Sequence, residues 1–423
     1  MRRFKILKEQ NEIESMCIAY GICYILEESE IEYTLYNKPS MYLIESDDFD
    51  IDDIYNSIDE SEISRNICKM MTNTKQTFPS IKEFLSIENM KSIFNYLESL
   101  NIKELNKDCK KKVDGFAIGS CYNTKCLGQS MKTENYKKCL SFLGWGKLAV
   151  YGYVNNSEFT IMMDFQETSN MIRSFQLIWE KDGDIGYIYK YDKDKSRLIS
   201  ISKLIINTII NYKFYENSIV KRVFVFETEK NGSNASMINK SYYIDIQKWS
   251  IDTYSEVLKK LSYSTTDIDI KIYLADFVLK PRYVTFSKLI RCMSKQNEKL
   301  WIKEEDFIIM FNKKIQEIYN NESLLKLAKA YNLLIWKEKK STFDIEVKLL
   351  GVRNLNQLQS SITLLLKSYN KAFNGGVAIS DIELREIINL VENNNDAKVV
   401  ADALLSYGKV FMNKKENKEG VNI

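Results

Sequence analysis

The sequence predicts an α+β protein: mixed N-terminal and central α/β regions followed by a C-terminal α-helical bundle. Two observations predict it. Short runs of alternating apolar residues recur up to about residue 275, and helical spacing takes over from about Thr285 with no proline after Pro281. At 423 residues a single core is improbable, and hydrophobic residues at 45% supply enough apolar surface for two or three. Four segments are expected: an acidic N-terminal α/β region at 1–105, a basic Cys/Gly-rich insert at 106–146, a central α+β region at 147–284 and the helical bundle at 285–423.

The elements follow in order. Ile13, Met16, Cys17, Tyr20 and Tyr24 carry the i, i+3, i+4 spacing of a helix with one buried stripe over 13–28. Ile31, Tyr33 and Leu35 alternate as a strand, Asn37-Lys38-Pro39 turns the chain, and Met41 to Ile44 returns. After the acidic stretch Ser46 to Glu62, helical patterns run to about Leu105, with Ser80 as a cap before Phe84, Leu85 and Ile87. The insert is glycine-rich, six of the 15 glycines falling between Gly115 and Gly152, and reads as loop.

In the central region, Leu148 to Val154 and Phe159 to Phe165 form a hairpin around Asn155-Asn156, and Phe175 to Glu180 with Tyr187 to Tyr191 form another. A helix is expected at Ile201 to Tyr212, a strand at Val220 to Phe226, a polar loop at Asn231 to Ser236 and a returning strand at Tyr242 to Ile246. Ser255 to Ser262 reads as helix, and Ile268 to Leu274, with its alternating Ile, reads as strand. Beyond these, Phe307, Ile308, Phe311, Ile315 and Ile318 make one helical stripe, and Leu355, Leu358, Ile362, Leu365 and Leu366 make another. Helices at 382–391 and 399–411 complete the bundle, the last with Ala401, Ala403 and Gly408 for close packing.

Charge and composition bound the function. The net +3 is unevenly spread: 10 Lys+Arg stand against 19 Asp+Glu over 1–100, but 10 against 4 over 101–150 and 16 against 10 over 201–300. Such a chain has a side suited to polyanions and another suited to basic surfaces. There is no histidine, which excludes Ser-His-Asp and Cys-His nucleophile systems and every His-liganded metal centre from this chain. Met1 to Asn11 is charged with no apolar run behind it, and no stretch reaches the roughly 18 apolar residues that span a bilayer. A cytoplasmic location, reduced cysteines and no membrane association are therefore expected.

Four constellations bear on chemistry. Cys109, Cys121, Cys126 and Cys139 are enough thiols for a structural zinc, although no pair has the two-residue gap of zinc ribbons, and reduced thiols are the alternative. Lys110, Lys111, Lys112, Lys125, Lys137 and Lys138 interleave with Tyr122, Tyr136, Phe142 and Trp145, pairing ammonium groups for phosphates with aromatic faces for bases. Arg282 and Arg291, with Lys280, Lys288 and Lys295, form a second basic set in which the planar guanidinium suits phosphate. Asp344, Glu346 and Lys348 on an expected strand are the residue types of a Mg²⁺-dependent nuclease core, which makes a metal-dependent nuclease one alternative and a protein-only scaffold another.

The order of features resembles the large subunit of type I CRISPR interference (Cascade) complexes. The resemblance rests on the opening helix with Ala19-Tyr20-Gly21 and its strand–turn–strand, on the strand Val220 to Phe226 with its loop and return Tyr242-Tyr243-Ile244-Asp245-Ile246, on the Lys280 to Lys295 segment, and on the C-terminal bundle. It implies a subunit without catalysis that helps bind guide RNA and helps recognise and open target double-stranded DNA. Its implied partners are guide RNA, target DNA, the other complex subunits and a helicase-nuclease recruited in trans. Relatives with paired Cys-x-x-Cys motifs carry them in a mid-chain insert, whereas the insert here has cysteines without that spacing.

Overall fold

A computed structural model describes residues 1–8, 12–55, 84–113, 133–148, 150–154, 157–169, 196–211, 220–231, 235–246, 249–302 and 305–411. The expected cap Ser80 and the hairpin at 175–191 lie outside them. The architecture is mixed α+β, with small antiparallel sheets in the N-terminal part and a helical C-terminal region. Contacts gather the chain into two compact units: Met1–Ile201 with Asn211–Gln247, and Ser202–Ile210 with Lys248–Ile423. Among the described residues no helix is long and apolar enough to cross a membrane.

The first unit opens with strand β1 (Arg2–Leu7), helix α1 (Glu12–Glu28) and strands β2 (Tyr33–Asn37) and β3 (Met41–Ser46). A short helix α2 (Ile51–Tyr55), helix α3 (Ile87–Ser99), a one-turn α4 (Lys107–Lys110), the two-residue strands β4 (Lys112–Val113) and β5 (Thr133–Glu134), and helix α5 (Asn135–Leu148) follow. Strands β6 (Val150–Val154), β7 (Ser157–Phe165) and β8 (Glu167–Thr168), the ends of helix α6 (Arg197–Asn211), and strands β9 (Val220–Asn231) and β10 (Ala235–Asp245) complete it. One sheet runs β1-β3-β2-β8 and the other β10-β9-β7-β6, and every neighbouring pair is antiparallel.

Two findings here differ from the sequence reading. Helix α1 is not striped: every residue from Ser15 to Leu26 is buried, since α5 packs along it as well as the first sheet. The end of the insert, read as loop, is this helix α5. Gly21 and Gly144 explain the approach. A Cβ on Gly21 would stand 2.1 Å from the Leu140 carbonyl oxygen, and one on Gly144 would stand 2.2 Å from that of Cys17. Only glycine lets the two backbones touch.

The chain passes from one sheet to the other between β7 and β8. The ladder slips at Asp164/Phe165, and Tyr20 of α1 fastens the slip: its hydroxyl donates to the Met163 carbonyl at 2.6 Å and accepts from the Phe165 N–H at 3.0 Å.

The second unit holds residues 202–210 of α6, whose Ser202 hydroxyl donates to the Ala275 carbonyl. Its other helices are α7 (Ile251–Ser262), α8 (Ile268–Leu279), α9 (Tyr283–Gln296), α10 (Glu305–Ile308), α11 (Lys313–Tyr319), α12 (Glu322–Lys337), α13 (Lys339–Leu350), α14 (Leu355–Ala372), α15 (Asp381–Asn389) and α16 (Asn394–Leu405). A π-helical turn, Ser406–Val410, ends the described chain. Aromatic rings fill the core, Phe277, Phe286 and Phe307 meeting at centroid distances of 4.8–6.0 Å.

The strand expected at Ile268 to Leu274 is helix α8. Asp267 caps it, its carboxylate accepting from the Asp269 N–H at 2.8 Å, and the apolar run continues through Leu279, longer than a strand needs. The single stripe expected over Phe307 to Ile318 is two short helices, because Asn312 turns out of helical geometry to cap α11 at the Ile315 N–H.

Candidate nucleic-acid interface

Residues 101–113 form a cationic neck on the first unit. Leu105 and Cys109 are buried and pin it to the body. Ser92 of α3 ties both sides of Leu105, donating to the Glu104 carbonyl at 2.9 Å and accepting from the Asn106 N–H at 2.6 Å. The Asn135 backbone and side chain donate to the Lys111 and Asp108 carbonyls, which locks the neck to the start of α5. With the backbone so held, Lys103, Lys107, Lys111 and Lys112 stand exposed and Lys110 half-buried, against Glu104 and Asp108. Pairing of Lys112 with Glu134 and of Val113 with Thr133 closes the base of segment 114–132.

The other sequence-read lysines are placed differently. Lys137 lies 3.7 Å from Glu134, three residues before it in β5, and Lys138 is only 4% exposed, so it faces the core rather than a ligand. Lys125 lies outside the described residues. So do Cys121 and Cys126. Their expected partners Cys109 and Cys139 are free thiols. Burial pushes Cys109 up to about 11 and Cys139 up to about 12, so both are protonated at neutral pH. Among the described residues no group of three or more Cys, Asp and Glu is arranged to hold a metal ion.

In the second unit Arg282 is exposed where α9 begins, and Lys288 and Lys295 lie seven residues apart on one exposed face of that helix. Arg291 is committed inward. Its Nε donates to the buried Asp402 at 2.7 Å and its Nη1 to the Leu350 carbonyl at 2.7 Å. Asp402 also accepts from Ser287 at 2.6 Å and Tyr283 at 3.2 Å. Burial raises the Asp402 carboxyl above its ordinary value, against the pull of Arg291.

Asp344, Glu346 and Lys348 lie on helix α13, not on a strand. Residues two apart on a helix point to opposite sides. Asp344 is exposed. Glu346 accepts from Ser294 at 2.6 Å and pairs with Lys409, and Lys348 donates to Ser360. The three do not converge on a common point, so the pattern read as a nuclease core is dispersed by the helix.

One polar constellation was missed by sequence reasoning. Asp164, fully buried where β7 slips, accepts from Asn37 at 2.8 Å, Tyr42 at 2.9 Å and Arg222 Nε at 2.7 Å. Arg222 also pairs with Glu12, and Lys8 donates to Asn37 and pairs with Glu12. Burial pulls the Arg222 guanidinium down, but Asp164 and Glu12 outweigh it and hold it above its ordinary range. Burial likewise pushes Glu12 up, and Arg222 and Lys8 bring it below. Two cations and two carboxylates balance, so the cluster clamps the two sheets rather than presenting an unpaired reactive group. Its signal was Asp164 inside the apolar run Ile161 to Phe165.

Neither a protein-family model nor a curated protein sequence matches the chain.

Proposed function

We propose that the chain is a non-catalytic nucleic-acid-binding subunit of a cytoplasmic CRISPR antiviral complex, helping to bind guide RNA and to recognise and open target double-stranded DNA. The cationic neck carries the reading. Four exposed lysines, Lys103, Lys107, Lys111 and Lys112, stand on a backbone held by the Ser92 and Asn135 hydrogen bonds. Ammonium groups so held neutralise phosphates and release counterions without reading bases, the task of a subunit that leaves sequence recognition to a guide. The order of an α+β unit and a helical region supports the resemblance to the large subunit of type I interference complexes. Guide RNA, target DNA, the other subunits and a helicase-nuclease recruited in trans are the partners it brings.

The test is co-purification. Tagged chain expressed with the products of its neighbouring genes should retain a small RNA and partner proteins, and release nucleic acid as salt rises. Replacing Lys110, Lys111 and Lys112 together by Ala should reduce the log–log salt slope of duplex binding by up to about 2.7, at about 0.9 per phosphate contact. Purification with neither RNA nor partners would defeat the proposal.

A further inference from the structure

The second unit carries a cleft of about 460 Å³ between α12, α13 and the π-helical turn. Its walls are Trp336 and Phe343, each 65% exposed. The floor is polar. Asn332 donates to the Gly408 carbonyl at 2.9 Å, and the Glu346–Lys409 pair stands beside it. Tyr331 lies behind the cleft, fully buried, with its hydroxyl turned into the interior. The Lys299 ammonium sits 5.1 Å from the Trp336 ring centre and has no carboxylate partner among the described residues.

We propose that this cleft takes one unpaired nucleobase of a single-stranded nucleic acid, stacked on Trp336 and Phe343 with its phosphate at Lys299. The shape is that of a small planar ligand: two aromatic walls, with the Asn332 amide and the Glu346–Lys409 pair at the bottom for a base edge. The charge selects an anion. Lys299 and Lys409 line the cleft with Glu346 as the lining carboxylate, and Lys409 pairs with that carboxylate, which leaves Lys299 as the uncompensated cation among the lining residues. The π-helical widening supplies Gly408 and Lys409 to the site. A Cβ on Gly408 would meet the Tyr331 ring at 2.4 Å, so the widened turn and the tyrosine are fitted to one another.

This inference rests on the nucleic-acid-binding reading, and the experiment separates the two. Full-length chain is titrated with a fluorescein-labelled oligothymidylate and with a duplex of equal length. Trp336 buries little, so Trp336→Ala should melt like the wild type. It should weaken single-strand binding by about 5- to 150-fold, the range for losing one stacked base, and change duplex affinity by less than about twofold. Trp336→Phe should keep most of the single-strand affinity but lose the tryptophan quenching that the oligonucleotide produces in the wild type. Unchanged single-strand affinity in Trp336→Ala overturns the base site and leaves the cationic neck standing. Loss of a co-purifying protein instead makes the cleft a protein-docking site and also overturns it. A wild type that binds neither strand nor duplex overturns both readings.

Discussion

Gly21→Ala should destabilise the first unit, against the ordinary sign for a helical glycine. In an open helix the change gains up to about 1 kcal/mol. Here the new Cβ would lie 2.1 Å from the Leu140 carbonyl oxygen and 2.9 Å from its carbon, where ordinary contact begins at 3.4 Å, so the shortfall is 1.3 Å. The obstacle is backbone, and no rotamer change relieves it. Helices α1 and α5 must part by about 1 Å, and a gap of that size forfeits up to about half of each van der Waals contact along the seam. Overpacking of this kind costs about 3 kcal/mol or more, which leaves a net loss of about 2 kcal/mol. For a unit of this size the melting temperature should fall by about 4–8 °C in calorimetry or circular dichroism. Gly144→Ala should act alike, its Cβ meeting Cys17 O at 2.2 Å and Gly21 N at 2.7 Å. Because parting the helices for one alanine makes room for the other, the double variant should lose less than the sum. A Gly21→Ala protein as stable as the wild type, or strictly additive losses, would refute this account of the seam.

Two further outcomes concern the second unit. Asp402→Ala strands the Arg291 guanidinium beside a buried gap, together with the Ser287 and Tyr283 hydroxyls; the cost should be about 3–5 kcal/mol, read as a melting point roughly 10 °C lower, and a shift under about 2 °C would show that the site relaxes. Glu383 is held down to about 2, first by Lys326 at 2.7 Å and then by the Ser380 N–H. Its folded value lies below the ordinary 4.5, so the stabilisation is complete above pH 4.5 and is lost as pH falls towards 2. The melting-point difference between wild type and Glu383→Gln should therefore shrink over that window, and a difference still at its neutral-pH size at pH 3 would contradict the capping role.

Much of the helical C-terminal region is legible from spacing alone, since Leu358, Ile362 and Leu365 are all buried on α14 as their pattern requires. The failures have physical causes. Ile268, Ile270 and Ile272 alternate like a strand, but Asp267 supplies a cap and Phe277 and Val278 extend the run, so helix wins over local propensity. Strand β1 was missed although Phe4 and Ile6 are its only buried residues and alternate cleanly; its charged neighbours Arg2, Arg3 and Lys5 hid it. The Gly21–Gly144 seam joins residues 123 apart, and pairing at that distance leaves no mark in a local window. The Asp164 cluster is illegible for the same reason: Lys8, Glu12, Asn37, Asp164 and Arg222 come from four separate stretches of chain.

The fates of the arginines and lysines refine the reading of charge. A planar guanidinium matches phosphate, and that match placed Arg291 among the nucleic-acid ligands. The same fork matches a buried carboxylate, and burial decides between the two uses. Arg291 goes to Asp402, Arg222 to Asp164 and Glu12, and Arg2 to Glu98 at 2.6 Å over the rings of Phe49 and Phe94. Asp402 and Asp164 are fully buried, and there a strongly hydrated ammonium would suit less. The lysines of the neck stay in water, where a flexible point charge follows a phosphate backbone without demanding one geometry. Guanidinium groups therefore hold much of the fold together, while the cations of the neck are lysines throughout. A surface of that kind suits counterion release more than base-specific forks.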